Sequence, residues 1–157
     1  MQGNADVLKL MQEVLTAELT AINQYFLHAK MMDNWGYERL AKIARKKSIE
    51  DMRHAETLME RILYFDGSPD MSMLFKLKIG RNVKEQLESD LKLESETCQR
   101  LNKAIAHAVK HGDNGSRDMF EELLRKEEDF ADFLEAQLHQ IKEMGYEKYL
   151  SMQLDED

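Results

Sequence analysis

The segment Asp51-Met52-Arg53-His54 sets a carboxylate and an imidazole three residues apart, a spacing that puts both on one face of an α-helix. An oxygen donor and a nitrogen donor so placed can ligate a metal ion, and carboxylates can bridge two ions. Glu18, Glu94 and Glu127 join this pair, because each interrupts an otherwise apolar stripe of helical period. The carboxylate-bridged two-metal pattern of helix bundles takes one Glu from each of two helices and Glu-x-x-His from each of the other two. Here Glu18 and Glu94 are the single carboxylates, and Asp51 with His54 is one paired motif. The other pair reads Glu127-x-x-Phe130, and a phenyl ring cannot ligate.

The elements that must carry these residues follow from the stripes. The first runs from about Asp6 to Asp33 through Val7, Met11, Val14, Glu18, Ile22, Tyr25 and Ala29. The second, about Tyr37 to Phe65, lines up Leu40, Ala44, Lys47, Asp51, His54, Leu58 and Ile62. The third, about Arg81 to Lys110, carries Leu87, Leu91, Glu94, Cys98, Leu101, Ile105 and Ala108, and the fourth, about Ser116 to Met144, carries Phe120, Leu123, Glu127, Phe130, Leu134 and Ile141. Asn34-Trp35-Gly36 and His111 to Gly115 are short connections, so helices one and two are antiparallel neighbours, as are three and four. Asp66 to Gly80, with Pro69, is long for a bundle loop and long enough to run the height of a bundle at roughly 3.3 Å per extended residue. The pattern predicts an all-α, four-helix bundle with one long crossover. A short fifth helix is expected from Tyr146 to about Leu154, ahead of the acidic end Asp155-Glu156-Asp157.

Composition narrows the classes. The 157 residues hold 7 Gly and 1 Pro, too few turn formers for a sandwich or barrel of many short strands. One domain, 1–157, is expected at this length. A formal charge of −8 argues against nucleic acid as a partner, since phosphate binding needs clustered Lys and Arg. No apolar run approaches the roughly 20 residues of a membrane span. One cysteine, Cys98, excludes an internal disulfide and reads as a small core residue, and the N-terminus carries no leader pattern, so a cytoplasmic location is expected.

Four acids at one depth need compensation, because uncompensated burial of a charge costs many kcal/mol. A metal pair supplies it. Protonation, pairing with Lys47, or a stripe offset by one position are the accounts that need no metal. Met52 projects about 100° from Asp51 and so lies off that face. Leu8, Leu15, Leu19, Asn23 and Phe26 form a second stripe on helix one, matched by Ile49 and Met52 on helix two. A helix apolar on two faces buries the second against a partner.

The chain resembles the bacterioferritins over essentially its whole length. The resemblance lies in Leu19-Thr20-Ala21-Ile22-Asn23-Gln24-Tyr25-Phe26, Asp51-Met52-Arg53-His54-Ala55-Glu56 and Leu134-Glu135-Ala136-Gln137-Leu138. It implies a ferritin-like bundle, a shell of 24 subunits around an iron-mineral cavity, a di-iron ferroxidase centre in each bundle and haem b between pairs of subunits. Glu18, His54, Glu94 and Glu127 match the family's iron ligands. Asp51 stands where the family has a bridging glutamate, and Phe130 where it has a histidine.

The same resemblance makes Met52 the axial ligand of a haem iron shared across a two-fold axis, with Leu19, Asn23, Phe26, Ile49 and Met71 as pocket wall. It implies a small ferredoxin as electron donor for iron release. Tyr25 becomes a candidate electron donor during iron oxidation, and Lys46 with Glu50 falls where the family can carry an inner-surface iron site. With Met52 in place and the centre altered at Asp51 and Phe130, the expectation is a haem-binding iron-storage subunit of weak ferroxidase activity, co-assembling with a second subunit type that oxidises iron. The competing expectation is an active ferroxidase in which Asp51 and a water complete the coordination. A helical interaction or DNA-protecting protein of related architecture is the third.

Overall fold

A computed structural model describes residues 1–154, so the acidic end 155–157 lies outside the described residues. Four long helices and a short one make up its regular structure: α1 (Ala5–Asn34), α2 (Glu38–Tyr64), α3 (Val83–Lys110), α4 (Asn114–Met144) and α5 (Tyr146–Ser151). α1 packs on α2 and on α3, and α3 on α4. This is the expected ferritin-like bundle.

Local chemistry sets the helix ends. Asn4 caps α1, its side-chain oxygen accepting from the backbone N–H of Asp6 (2.9 Å) and Val7 (3.1 Å). Asn82 caps α3 by accepting from Glu85 N–H at 2.9 Å. Asp113 caps α4 by accepting from Ser116 N–H at 3.0 Å. That last cap explains a difference from the sequence reading. α4 begins at Asn114 rather than Ser116, and Gly115 lies within its first turn. Gly36 closes the α1–α2 turn at φ 89° and Gly112 the α3–α4 turn at φ 68°, conformations that cost glycine little. α3 starts two residues later than expected and α5 stops at Ser151.

The crossover, residues 65–82, runs along α1 as an extended chain. Its backbone is held by a polar row on α1 at four-residue multiples. Gln12 Oε1 accepts from Asp70 N–H at 2.8 Å while its Nε2 donates to Asp70 O at 2.9 Å. Thr20 Oγ1 accepts from Phe75 N–H (2.9 Å), Gln24 Oε1 from Lys78 N–H (3.1 Å) and His28 Nε2 from Gly80 N–H (3.1 Å). Buried backbone donors must find partners, and this row supplies them. Gly80 approaches closely: a Cβ there would stand 2.3 Å from Gln86 N.

The apolar core falls into two main bodies. One packs Val7, Met11, Val14 and Leu15 against Leu58, Leu101 and Phe120. The other packs Met32, Leu40 and Leu87 against Leu134 and Tyr149. Between them, along all four long helices, lies a layer of buried ionisable side chains. Glu18, Lys47, Asp51, His54, Glu94 and Glu127 are each 7% exposed or less.

Candidate metal centre and outer apolar face

Each helix delivers its acid to the middle layer because the apolar stripe on either side of it faces the core. Glu18 comes from α1, Asp51 and His54 from α2, Glu94 from α3 and Glu127 from α4. One ligand atom from each of Glu18, Asp51, His54 and Glu127 lies within 4.8 Å of the others. His54 Nδ1 is the hub, 2.9 Å from Glu127 Oε1, 3.3 Å from Asp51 Oδ1 and 3.4 Å from Glu18 Oε2. Glu94 is not one of these four, although it interacts with Glu127. Its Oε1 accepts a short hydrogen bond from the Tyr25 hydroxyl, so Tyr25 pairs with Glu94 rather than with Glu18, to which it is nearest in register.

Lys47 enters the same layer from α2. Its Nζ donates to Glu127 Oε2 at 2.9 Å and lies 2.9 Å from Asp51 Oδ1, a close ion pair without hydrogen-bond alignment. It also sits 5.1 Å from the centre of the Phe130 ring, within cation–π range. Phe130 in turn contacts Tyr25 at 5.5 Å and Phe133 at 5.6 Å between ring centres. An ammonium and an aromatic wall therefore fill the side of the layer beneath Asp51 and Glu127.

Electrostatics follows from this arrangement. Burial, then the charges of Glu127 and Asp51, raise the Glu18 carboxyl well above its ordinary value. Burial and Glu127 do the same to Glu94. Burial and Glu127 push Asp51 up to about 6, against the pull of His54 and Lys47. Burial would raise Glu127 too, yet Glu94, His54 and Lys47 together hold it well below the carboxylate range. Burial works against a charged His54, but Asp51, Glu127 and Glu18 lift it to about 11. Burial likewise opposes Lys47, and Asp51, Glu94, Glu127 and Glu18 outweigh it and raise the ammonium. The carboxyls of Glu18 and Glu94 are thus pushed toward the neutral form, while Lys47 and His54 supply positive charge to Asp51 and Glu127.

Several oxygens remain unsatisfied. Both Glu18 oxygens, Asp51 Oδ2 and Glu94 Oε2 are buried without a hydrogen-bond partner. Cys98, expected in the core, is half-buried, and burial pushes its thiol up to about 11.

The second stripe divides: Leu15 and Leu19 are buried in the core with Leu8 packed against it, because the α1 face there turns toward the bundle, and the outward-facing members lie nearer its middle and on α2. Met52 is 55% exposed, Phe26 45% and Ile49 40%. Leu19 is buried beside them and Asn23 is exposed, its amide donating to Leu19 O at 2.8 Å. Ser48 Oγ donates to Ile22 O at 2.8 Å and the Arg45 guanidinium lies 5.5 Å from the Phe26 ring centre. That antiparallel register brings Met52 level with Leu19. Met71, also exposed, follows Asp70 on the crossover and so sits near the height of Gln12, about 10 Å along α1 from Leu19. A cleft beside Ile49 is rimmed by Lys42, Arg45, Lys46, Glu50 and Arg53.

Sequence reasoning missed the row Gln12, Thr20, Gln24 and His28. His28, whose Nδ1 lies 2.9 Å from Asp90 Oδ1, belongs to the crossover's anchorage. The four-residue spacing was the available signal, hidden because its partners are backbone groups of an irregular segment.

Comparison with known proteins places these features in context. A family model described as a ferritin-like domain matches residues 8–144. A bacterioferritin of Mycolicibacterium paratuberculosis is 47% identical over 149 residues, covering 95% of this chain and 94% of the relative. A bacterioferritin of Streptomyces coelicolor is 44% identical over 156 residues, 99% of this chain and 93% of the relative. One from Brucella melitensis is 43% identical over 149 residues, 95% and 92% respectively.

Proposed function

The chain belongs to the bacterioferritin family, and from that premise we propose a haem-carrying iron-storage subunit whose own oxidation centre is deficient. The observation that carries this reading is Lys47: its ammonium stands between Asp51 and Glu127, where a second iron would need both carboxylates. Phe130 supports it, since α4 offers a ring with no donor where a second nitrogen ligand is required. A pair of iron ions does not fit this donor set. A dication brought to about 4 Å from the ammonium would meet a repulsion of about 8 kcal/mol at an effective dielectric of about 20.

The outer face supports the haem half of the reading. Met52 presents a thioether from an exposed apolar surface, and a group ligated by one methionine from each of two chains requires a two-fold dimer. Phe26, Ile49 and Leu19 offer apolar contact to a flat ring, and Met71 lies nearer the other end of α1. Arg45, Lys46 and Arg53 beside Ile49 suit the ring's two propionate carboxylates. Lys46 also makes an iron site on Lys46 and Glu50 a poor fit. Bound haem would supply a one-electron carrier between the outer face and the stored iron.

The assembly proposed is a shell of 24 chains built from such dimers, with a complete-site subunit supplying oxidised iron and a small ferredoxin returning electrons. No helix among the described residues is long and apolar enough to cross a membrane. The test is to mix iron(II) and oxygen with the purified homomer. Slow oxidation by a haem-containing particle is expected, and oxidation as fast as in a complete-site bacterioferritin overturns the reading.

A further inference from the structure

We infer that the Lys47 ammonium is a covalently supplied stand-in for one cation of a carboxylate-bridged pair, and that the other half of the layer is a site for a single divalent ion. The inference rests on the preceding view of the bundle as an altered two-metal centre, and it adds how many ions the centre holds and where.

The argument lies in how the two shared carboxylates divide their oxygens. Glu127 gives Oε2 to Lys47 Nζ at 2.9 Å and Oε1 to His54 Nδ1 at 2.9 Å. Asp51 gives Oδ1 to Lys47 Nζ at 2.9 Å and leaves Oδ2 buried and unpartnered. Glu127 thus meets the ammonium with one oxygen and His54 with the other, as a carboxylate bridging two metal ions does, whereas Asp51 turns Oδ1 to both Lys47 and His54 and has Oδ2 to spare. On the His54 side stands Glu18, 1% exposed, with neither oxygen hydrogen-bonded. A buried carboxylate whose nearest partner is His54 Nδ1, 3.4 Å from Oε2, is poorly compensated, and an ion among Glu18, Asp51, His54 and Glu127 would satisfy it.

Three carboxylates and one imidazole are the ligand set of a first-row divalent ion such as iron(II), manganese(II), cobalt(II) or zinc(II). Three carboxylates against one ammonium and one dication leave no net charge, with His54 neutral as a ligand. A second dication would have to displace Lys47, which α2 holds in place and Phe130 backs. Access exists on the His54 side, where a cleft of about 210 Å³ is lined by Arg53, His54, Thr57, Met119, Glu122 and Lys126 among others.

The test uses cobalt(II) and the intact protein. Crystals soaked in cobalt(II) should show one anomalous peak within the bundle, among Glu18, Asp51, His54 and Glu127, with Lys47 still between Asp51 and Glu127. Two peaks in the bundle, or none, overturn the inference. Glu18→Gln should weaken cobalt(II) binding at this site at least tenfold, and unchanged binding counts against it. Lys47→Met should admit a second ion, and a folded Lys47→Met protein that still holds one counts against it. If Lys47→Met does not fold, the wild-type crystals decide alone. A haem-free particle would sink the proposed function yet leave the ion count untouched, so the two failures are distinguishable.

Discussion

The middle of the bundle and the outer face of α1 and α2 answer the same problem in opposite ways. In the middle, four acids are buried and the chain brings its own positive charge, Lys47, together with His54. On the outer face, Met52, Ile49 and Phe26 stay largely open to solvent. A buried charge without a partner costs several kcal/mol, so an altered metal centre is tolerated only when another residue neutralises it. An exposed apolar patch costs the single chain little and can await a second copy and a shared ligand. The buried layer is thus compensated from within the chain, and the outer face is left open.

The largest effect that would sharpen this comparison lies on the open side. Met52→Leu should take haem content from one per two subunits to none, read in the visible spectrum of protein produced with ample haem. Retention of the bis-methionine spectrum would break the contrast at its outer end.

Next comes the closed side. Lys47→Ala leaves Asp51 and Glu127 without their ammonium, and removing one partner of a buried pair costs about 3–5 kcal/mol. Denaturant unfolding should show a loss of that order. A loss under about 1 kcal/mol would mean that the layer does not depend on Lys47.

A gain of function follows in size. Phe130→His with Asp51→Glu should leave iron(II) oxidation slow while Lys47 remains, and adding Lys47→Met should raise the rate about tenfold or more. A fast double variant would show that Lys47 is no obstacle.

The smallest effect calibrates the others, because it lies at the end of the bundle. Asp113 caps α4 and pairs with Arg61 at 3.1 Å, and Asp113→Ala should cost about 1 kcal/mol. Burial alone would raise its carboxyl, but the Ser116 donors and Arg61 hold it below its ordinary 3.8. A carboxyl lowered by folding contributes stability above that value and loses it as pH falls through the folded pKa. The difference between Asp113→Asn and the wild type should therefore shrink below about pH 4, as measured by unfolding across pH.

Much of this architecture was legible in the sequence. The stripes located the four long helices, because scarce Gly and Pro mark where helical period stops. The depth of Glu18, Asp51, Glu94 and Glu127 was legible for the same reason, since each sits in line with core residues. Lys47 also lies in its stripe, and pairing with these acids was one of the accounts left open. Which partners it takes depends on an α2–α4 contact 80 residues apart in the chain, beyond any local pattern. The pairing of Glu94 with Tyr25 likewise spans 69 residues. The α1 row that anchors the crossover was invisible because its partners are backbone atoms of a segment without period.

The proposed subunit carries haem but does not oxidise iron efficiently by itself. Stopped-flow measurement of iron(II) oxidation by the haem-loaded homomer tests it most directly. A single slow phase, within a few fold of the buffer rate, is expected at two iron(II) per subunit. A fast phase that consumes two iron(II) per subunit would contradict it.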